Sequence, residues 1–344
     1  DFVDGVGCKG LARLNADGTL DATFLGSVEG GGVLALALQP DGKIIVGGGF
    51  TSANSVPANR IARLLATGAI DPSFNLGTSF NNAVHALAVQ PDGKLVAAGG
   101  FTDHNGAFAG RIARLNPDGT RDFSFSTGFG FDDLVYTLEL ASSGKVLAGG
   151  FFTSFNGVDR TWFARLNSNG SLDTFFFDES IVGTGLSPAF PANGVRDITI
   201  RPSGTILLCG GFDAVHGSSR QFVAEVDAIT GAVIPGFVAS VNCLTAVIGD
   251  AYSTMLLLPD GELLVGGTFN VCPGSDPFGS PDISRGLVRY ATNGSLVAYA
   301  PLNPPGENNG WQGVETLTLL ADGGVFVGGF GLHMPAGGHS FAKI

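Results

Sequence analysis

One twelve-residue block occurs six times along this chain, and few architectures can absorb that much repetition. QPDGKIIVGGGF (Gln39–Phe50) recurs as QPDGKLVAAGGF (Gln90–Phe101), ASSGKVLAGGFF (Ala141–Phe152) and RPSGTILLCGGF (Arg201–Phe212). It recurs again as LPDGELLVGGTF (Leu258–Phe269) and LADGGVFVGGFG (Leu320–Gly331). Beyond the turn glycine, the tenth position is also glycine in all six copies: Gly48, Gly99, Gly150, Gly210, Gly267 and Gly329. A second block, IARLLATGAIDPSF (Ile61–Phe74), alternates with the first and is matched by Ile112–Phe125, Phe163–Phe176 and, near the start, Leu11–Phe24. Weaker copies begin at Val223 and Leu287, and a truncated one ends the chain.

Each block reads as a β-hairpin. Pro40-Asp41-Gly42 suits a three-residue loop, with Pro opening a type I turn and Gly taking the positive φ that closes it. Ala66-Thr67-Gly68, Pro117-Asp118-Gly119 and Ser168-Asn169-Gly170 repeat the device. Two hairpins in about 50–60 residues make four strands, the size of a propeller blade. The first strand, VLALALQ, is apolar on both faces, as a sheet sandwiched between two others requires. The expected fold is therefore all-β: a six-bladed β-propeller of four-stranded antiparallel blades, residues 1–344 forming one domain. The repeats fall at about 33–74, 84–125, 135–176, 195–237, 254–298 and 314–344, and the hairpin at 11–24 is expected to close the ring as the outer strand of the last blade. The recurring glycine is expected where blades converge and leave no room for a Cβ. The phenylalanines that follow it, such as Phe50 and Phe101, should wedge between blades.

Hairpin register places Arg63 opposite Asp71, Arg114 opposite Asp122, Arg165 opposite Asp173 and Arg13 opposite Asp21. A charge pair copied in register reads as a cross-strand structural bridge and not as a catalytic site. The pattern breaks later: Glu225 stands where the Arg should be, and Arg289 is expected to face Val297.

These residues together resemble the delta-60 repeat family of secreted bacterial proteins, with its pattern QPDGKILVGGxF…NRIARLNxDGxLDxxF. Gln39–Phe50 with Arg60–Phe74, and Gln90–Phe101 with Arg111–Phe125, carry the likeness, which extends over essentially the whole chain. The resemblance implies a propeller in an extracellular or envelope setting, and it brings no enzymatic residues.

Composition narrows the function. With 18 Lys and Arg against 30 Asp and Glu, the net charge of −12 argues against nucleic acid and anionic membranes. No run approaches the roughly 18–20 apolar residues of a membrane helix, so no membrane insertion is expected. Low Lys, abundant Gly, Asn, Ser and Thr, and the acidic balance point to export; the opening Asp1-Phe2-Val3 carries no signal peptide and reads as a mature or trimmed start. No GxSxG, HExxH, Walker or strand–GxGxxG–helix motif occurs, so no enzyme, cofactor or metal is expected.

Binding is expected on the side carrying the second-to-third and fourth-to-first connections, because variable loops on a rigid frame are where contacts are usually made. The longest, Phe177–Val195, Ala239–Ser253, Asn270–Ser284 and Ala298–Gly313, belong to blades four to six. Trp311, Asn308, Asn309, Asp276, His216 and His333 are the candidate contacts for a protein or glycan partner on a cell surface. His104, like His216 and His333, follows a GGF corner and reads as a surface histidine. Cys243 and Cys272 fall on the same side of one blade and are expected to form a disulfide, whereas Cys209 reads as a packed core thiol. Two alternatives stand beside the binding-module reading. One is a carbohydrate-binding propeller using Trp311. The other is a lyase or hydrolase using His216, His333 and nearby carboxylates at the channel mouth.

Overall fold

The computed structural model describes residues 2–3, 6–75, 77–176, 181–182, 194–239, 244–245, 251–268, 270–271, 286–300, 313–330 and 341–343. Among them every regular element is a β-strand. The chain divides into two compact units: residues 1–160 with 164–174, and residues 161–163 with 175–344.

In the first unit each repeat forms an antiparallel sheet with its strands in chain order. The sheets are Val33–Leu38, Ile44–Gly48 and Ile61–Leu64; Val84–Val89, Leu95–Gly99 and Ile112–Leu115; and Val135–Leu140, Val146–Gly150 and Phe163–Leu166. Successive first strands lie against one another. The turns obey the sequence logic: Gly42 donates its N–H to the Gln39 carbonyl at 2.9 Å with φ +80°, a conformation that would strain any side chain.

The second unit repeats the plan. Its sheets are Gly194–Ile200, Ile206–Gly211 and Val223–Val226; Ala251–Leu257, Leu263–Thr268, Leu287–Tyr290 and Leu296–Ala300; and Gly313–Leu319, Val325–Phe330 and Phe341–Lys343.

Two expectations about strand pairing need correction. Among the described residues only the fifth repeat has a four-stranded sheet. In the first four repeats the fourth strand shrinks to one bridge, Leu64↔Ile70, Leu115↔Arg121, Leu166↔Leu172 or Val226↔Val233. The carboxylate that follows explains the early stop in the first repeats. Asp71 Oδ1 accepts Ser73 N–H and Oγ–H at 2.9 and 2.7 Å, and Asp122 does the same with Ser124, so the chain turns instead of extending. Second, a bulge between Arg289 and Tyr290 shifts the register, and Arg289 faces Ala298 instead of Val297.

The core lies between sheets. Ile45 and Ile61 of the first sheet pack with Leu95, Ala97, Ala113 and Phe101 of the second. Val96, Ala98 and Ile112 of the second pack with Val146, Ala148 and Phe152 of the third. In the second unit Leu207, Cys209 and Val223 meet Met255, Leu263 and Val265, and Leu264 and Leu287 meet Val314 and Val327. The first strand of the first sheet departs from the two-sided burial expected of it: Leu34, Leu36 and Leu38 are 52%, 59% and 71% exposed.

Candidate functional site

The repeated charges form a clamp. Arg63 Nε donates to Asp71 Oδ2 at 2.8 Å, its Nη2 to Ser73 Oγ at 3.0 Å, and its Nη1 to the Pro117 carbonyl in the next repeat. The guanidinium lies 4.7 Å from the centre of the Phe74 ring. Arg114 makes the same contacts with Asp122, Ser124, Phe125 and the Ser168 carbonyl, and Arg13 with Asp21, Thr23, Phe24 and the Ala66 carbonyl. Arg165 donates to Asp173 at 2.8 Å. A lysine from the first turn completes three of these sites, with Lys43, Lys94 and Lys145 at 3.4, 2.9 and 2.5 Å from Asp71, Asp122 and Asp173. Burial raises the Asp71 carboxyl, but hydrogen bonds from Ser73 and the Arg63 charge outweigh it and bring its pKa to about 2. Asp122 is likewise held below the carboxylate range, against its own burial, by Ser124 and Lys94. A carboxylate locked in its charged form and enclosed by cations has no proton to exchange near neutral pH.

The fourth repeat rebuilds the clamp from another strand. Glu225 replaces the Arg, and Arg201, at the end of the first strand, supplies the guanidinium. Arg201 lies 3.3 Å from Glu225 and 5.6 Å from the Phe237 ring centre. It donates to the carbonyls of Gly261 and Thr292 in the next repeat at 2.8 and 3.5 Å.

The two glycines of the GG doublet answer to different neighbours. A Cβ on Gly47 would meet Val84 and Leu87 of the following sheet at 2.8 and 3.1 Å, which is crowding between sheets. On the recurring Gly48 it would stand 2.2 Å from the Gly32 carbonyl of its own sheet. Gly99, Gly150, Gly210 and Gly329 have the same conflict, at 1.9 to 2.2 Å from the corresponding carbonyl. A β-bulge causes it. Every first strand shifts register opposite this glycine, between Val33 and Ala35, Val135 and Thr137, Val195 and Asp197, Tyr252 and Thr254, and Val314 and Thr316, with the second repeat alike. Gly267 takes its place in the ladder opposite Tyr252.

The residue that each bulge skips is Leu34, His85, Tyr136, Arg196, Ser253 or Glu315. The flanking positions repeat, yet this one carries a different chemistry each time. Bulges re-aim side chains and are common beside functional sites. All six open the first strand at the end where the long connections enter. In the first unit His85 and Tyr136 meet edge-on with ring centres 5.9 Å apart. In the second, Asp197 follows the bulge and accepts the Met255 N–H at 2.8 Å; burial raises its pKa to about 6 despite that bond. In four of the six the sequence carries the signal as V-x-x-L with a free second position, but only the register shows what it means.

Short ribbons, Ser52–Ala53 with Val56–Pro57, Asp103–His104 with Ala107–Phe108, and Ser154–Phe155 with Val158–Asp159, stand at the second-to-third corners. At each tip an asparagine with positive φ pins the neighbouring connection. Asn54, Asn105 and Asn156 accept the N–H of Ser27, Ser79 and Phe129 at 2.8, 2.6 and 2.6 Å.

Of the residues singled out from sequence, Trp311, Asn308, Asn309, Asp276, His333, Cys243 and Cys272 lie outside the described residues. His216 is half-buried, with φ +50°, at the position of those asparagines. His104 is not a surface histidine. It is 1% exposed and stacks on Phe80 with ring centres 4.6 Å apart, in the place Phe155 holds against Phe131. Burial lowers its pKa to about 4, with the Arg121 charge adding to the effect. Among the described residues no three His, Cys, Asp or Glu side chains group as metal ligands.

A family model described as "Domain of unknown function (DUF5122) beta-propeller" matches residues 1–24, 39–74, 90–125, 141–176 and 258–296. No curated protein matches the chain. Among solved structures, PorZ of Porphyromonas gingivalis, described as an essential bacterial surface component of the type-IX secretion system, is similar with a TM-score of 0.51 at 12% identity. That match covers 89% of this chain and 38% of PorZ. The extracellular domain of a B. thetaiotaomicron protein described as a one-component system gives 0.46 at 14% identity, over 89% of this chain and 31% of that one. A Xanthomonas campestris gluconolactonase gives 0.41 at 13% identity, over 84% and 80%. The chain spans about a third of the length of the first two. At these identities the likeness is one of fold.

Proposed function

Because the chain belongs to the DUF5122 β-propeller family, we propose that it is a non-enzymatic binding or scaffold module of an exported bacterial surface or secreted protein. Its partner, a protein or glycan on a cell surface, is met through the side that carries the long connections. The observation that supports this most is the division of labour among polar residues. The repeated charges are spent on clamps between consecutive repeats, while non-repeated chemistry collects at the bulge positions opening each first strand. A scaffold copied from one unit needs the former to be constant, and recognition needs the latter to differ.

The finer reading keeps the six sheets as a ring closed by the 11–24 hairpin. Trp311, Asn308, Asn309, Asp276, His216 and His333 belong to the contact side of repeats four to six, with a Cys243–Cys272 disulfide bracing it. Peptide and glycan arrays probed with the wild type, H85A/Y136A and R196A/E315A test the function. Binding that one double variant loses without loss of thermal stability supports the module. Turnover of lyase or hydrolase substrates, abolished by the same substitutions, overturns it.

A further inference from the structure

Two phenylalanines on the long-connection side of the first unit are held in the open. Phe108 is 56% and Phe129 82% exposed, and their rings meet edge-to-face with centres 6.4 Å apart. Neither is demanded by the repeat: the positions of Phe108 are Pro57 and Asp159 in the neighbouring repeats, and that of Phe129 is Thr78 in the one before.

The backbone beneath them is tightly built. Phe108 ends the Asp103–His104/Ala107–Phe108 ribbon, and Phe129 lies in the connection to the third sheet. The two segments touch through a pair of glycines. A Cβ on Gly110 would fall 2.0 Å from the Phe129 carbonyl, and one on Gly130 2.1 Å from the Gly110 carbonyl. The equivalents of Gly110 are Asn59 and Thr161, so this approach belongs to this repeat. Phe131 N–H donates to the Gly110 carbonyl at 3.1 Å, and Asn156 Oδ1 accepts the N–H groups of Phe129 and Gly130 at 2.6 and 3.1 Å. The pair leaves most of its apolar surface in water, and fixed exposed aromatics lower the entropic cost of binding.

The surrounding charge selects the occupant. Asp103 sits directly across the ribbon from Phe108, and Asp132, Asp133 and Asp159 lie on the same side. Asp132 and Asp159 are exposed. The arginines of this side are turned inward: Arg60 Nη1 donates to the Gly49 and Phe50 carbonyls, Arg111 Nη1 to Phe131 and Arg160 Nη1 to Asp159. Asp103 is half-exposed, with Oδ1 accepting the Gly106 N–H at 2.8 Å, and aromatic rings beside such carboxylates attract a cation on an apolar stem.

From this arrangement we infer that the Phe108–Phe129 pair docks a basic peptide segment of a partner protein, a lysine or arginine lying against the rings with its charge toward Asp103. This rests on the reading of the long-connection side as the contact surface and names the partner for it. The test is a phage-displayed peptide library panned in parallel on the wild type and on F108S/F129S, whose exposed substitutions leave the core intact, with thermal melts as the folding control. The wild type is expected to enrich peptides pairing Lys or Arg with an apolar neighbour. Their synthetic versions should bind F108S/F129S roughly tenfold more weakly, and salt and D103N should weaken them too. Peptides without basic residues, or equal binding to F108S/F129S, overturn the inference. Peptides lost only on H85A/Y136A remove the phenylalanine pair but keep the contact side. Glycan-array hits sensitive to F108S/F129S also overturn it, by giving the rings a sugar ligand.

Discussion

Arg63 joins two repeats: its Nη1 donates to the Pro117 carbonyl, which opens the third-to-fourth turn of the repeat that follows. The same guanidinium is held by Asp71 and stacked over Phe74, so one side chain fastens its own hairpin and the next. This explains why the Arg, the Asp and the Phe of the second block repeat together.

Removing the carboxylate strands a buried cation. D71A is expected to destabilise the first unit by about 3–5 kcal/mol, since breaking one side of a buried pair leaves the other uncompensated. Urea unfolding followed by fluorescence reads this directly; a loss within roughly 1 kcal/mol, the scale of a surface pair, would refute the clamp.

The fourth repeat offers a charge test. E225R sets a second guanidinium beside Arg201, with Ile234 where other repeats have Asp. It is expected to lower the melting temperature clearly, and E225R/R201Q to recover part of the loss by removing the repulsion. Equal melting of the two variants would contradict the substitution of one guanidinium for another.

Adjacent glycines should behave oppositely. In G48A the new Cβ meets the Gly32 carbonyl at 2.2 Å, while in G49A the nearest atoms are 4.0 Å away. G48A is expected to cost about 2 kcal/mol or more through forced backbone movement, and G49A to fall within about 0.5 kcal/mol of the wild type. Similar costs for both would dispose of the bulge as the reason for the recurring glycine.

His104 should make the protein acid-sensitive before its carboxylates do. Its folded pKa is about 4 against an ordinary 6.5. Above pH 6.5 neither state binds the proton and nothing is lost. Between 6.5 and 4 only the unfolded chain takes it up, so the His104 contribution to stability falls, by about 3 kcal/mol in all. H104F, which copies Phe155, is expected to flatten this interval. The Asp71 contribution lies lower: its depressed pKa stabilises above about 3.8 and is lost as the pH falls toward 2. Melting curves of wild type and H104F from pH 7 to 4 that stay parallel would show that His104 does not carry the effect.

Much of the fold could be read from local pattern. The PDG and TG turns need only a positive φ at Gly, and the hairpins around Asp41 and Thr67 followed from that. The Arg–Asp spacing was likewise legible, because a hairpin centred on Thr67 brings residues 63 and 71 level. The fourth strand was overestimated, since Asp71 bonds Ser73 and bends the chain where apolar alternation alone would extend it. His104 reads as a surface residue because its neighbours in sequence are polar, while its environment is set by Phe80, 24 positions away. The bulge residues and the Phe108–Phe129 pair went unseen for the same reason. One is visible only in the register between strands, and the other needs Gly110 and Gly130 brought together by two separate connections.

Sequence alone determined the repeat, its hairpins and the identity of the clamp residues, because turn geometry and strand alternation act over a few neighbouring positions. Tertiary structure decided which glycine a bulge demands, which guanidinium serves the fourth repeat, and which aromatic rings stay in water. Those outcomes depend on atoms from different strands competing for the same few ångströms, and no local pattern encodes that competition.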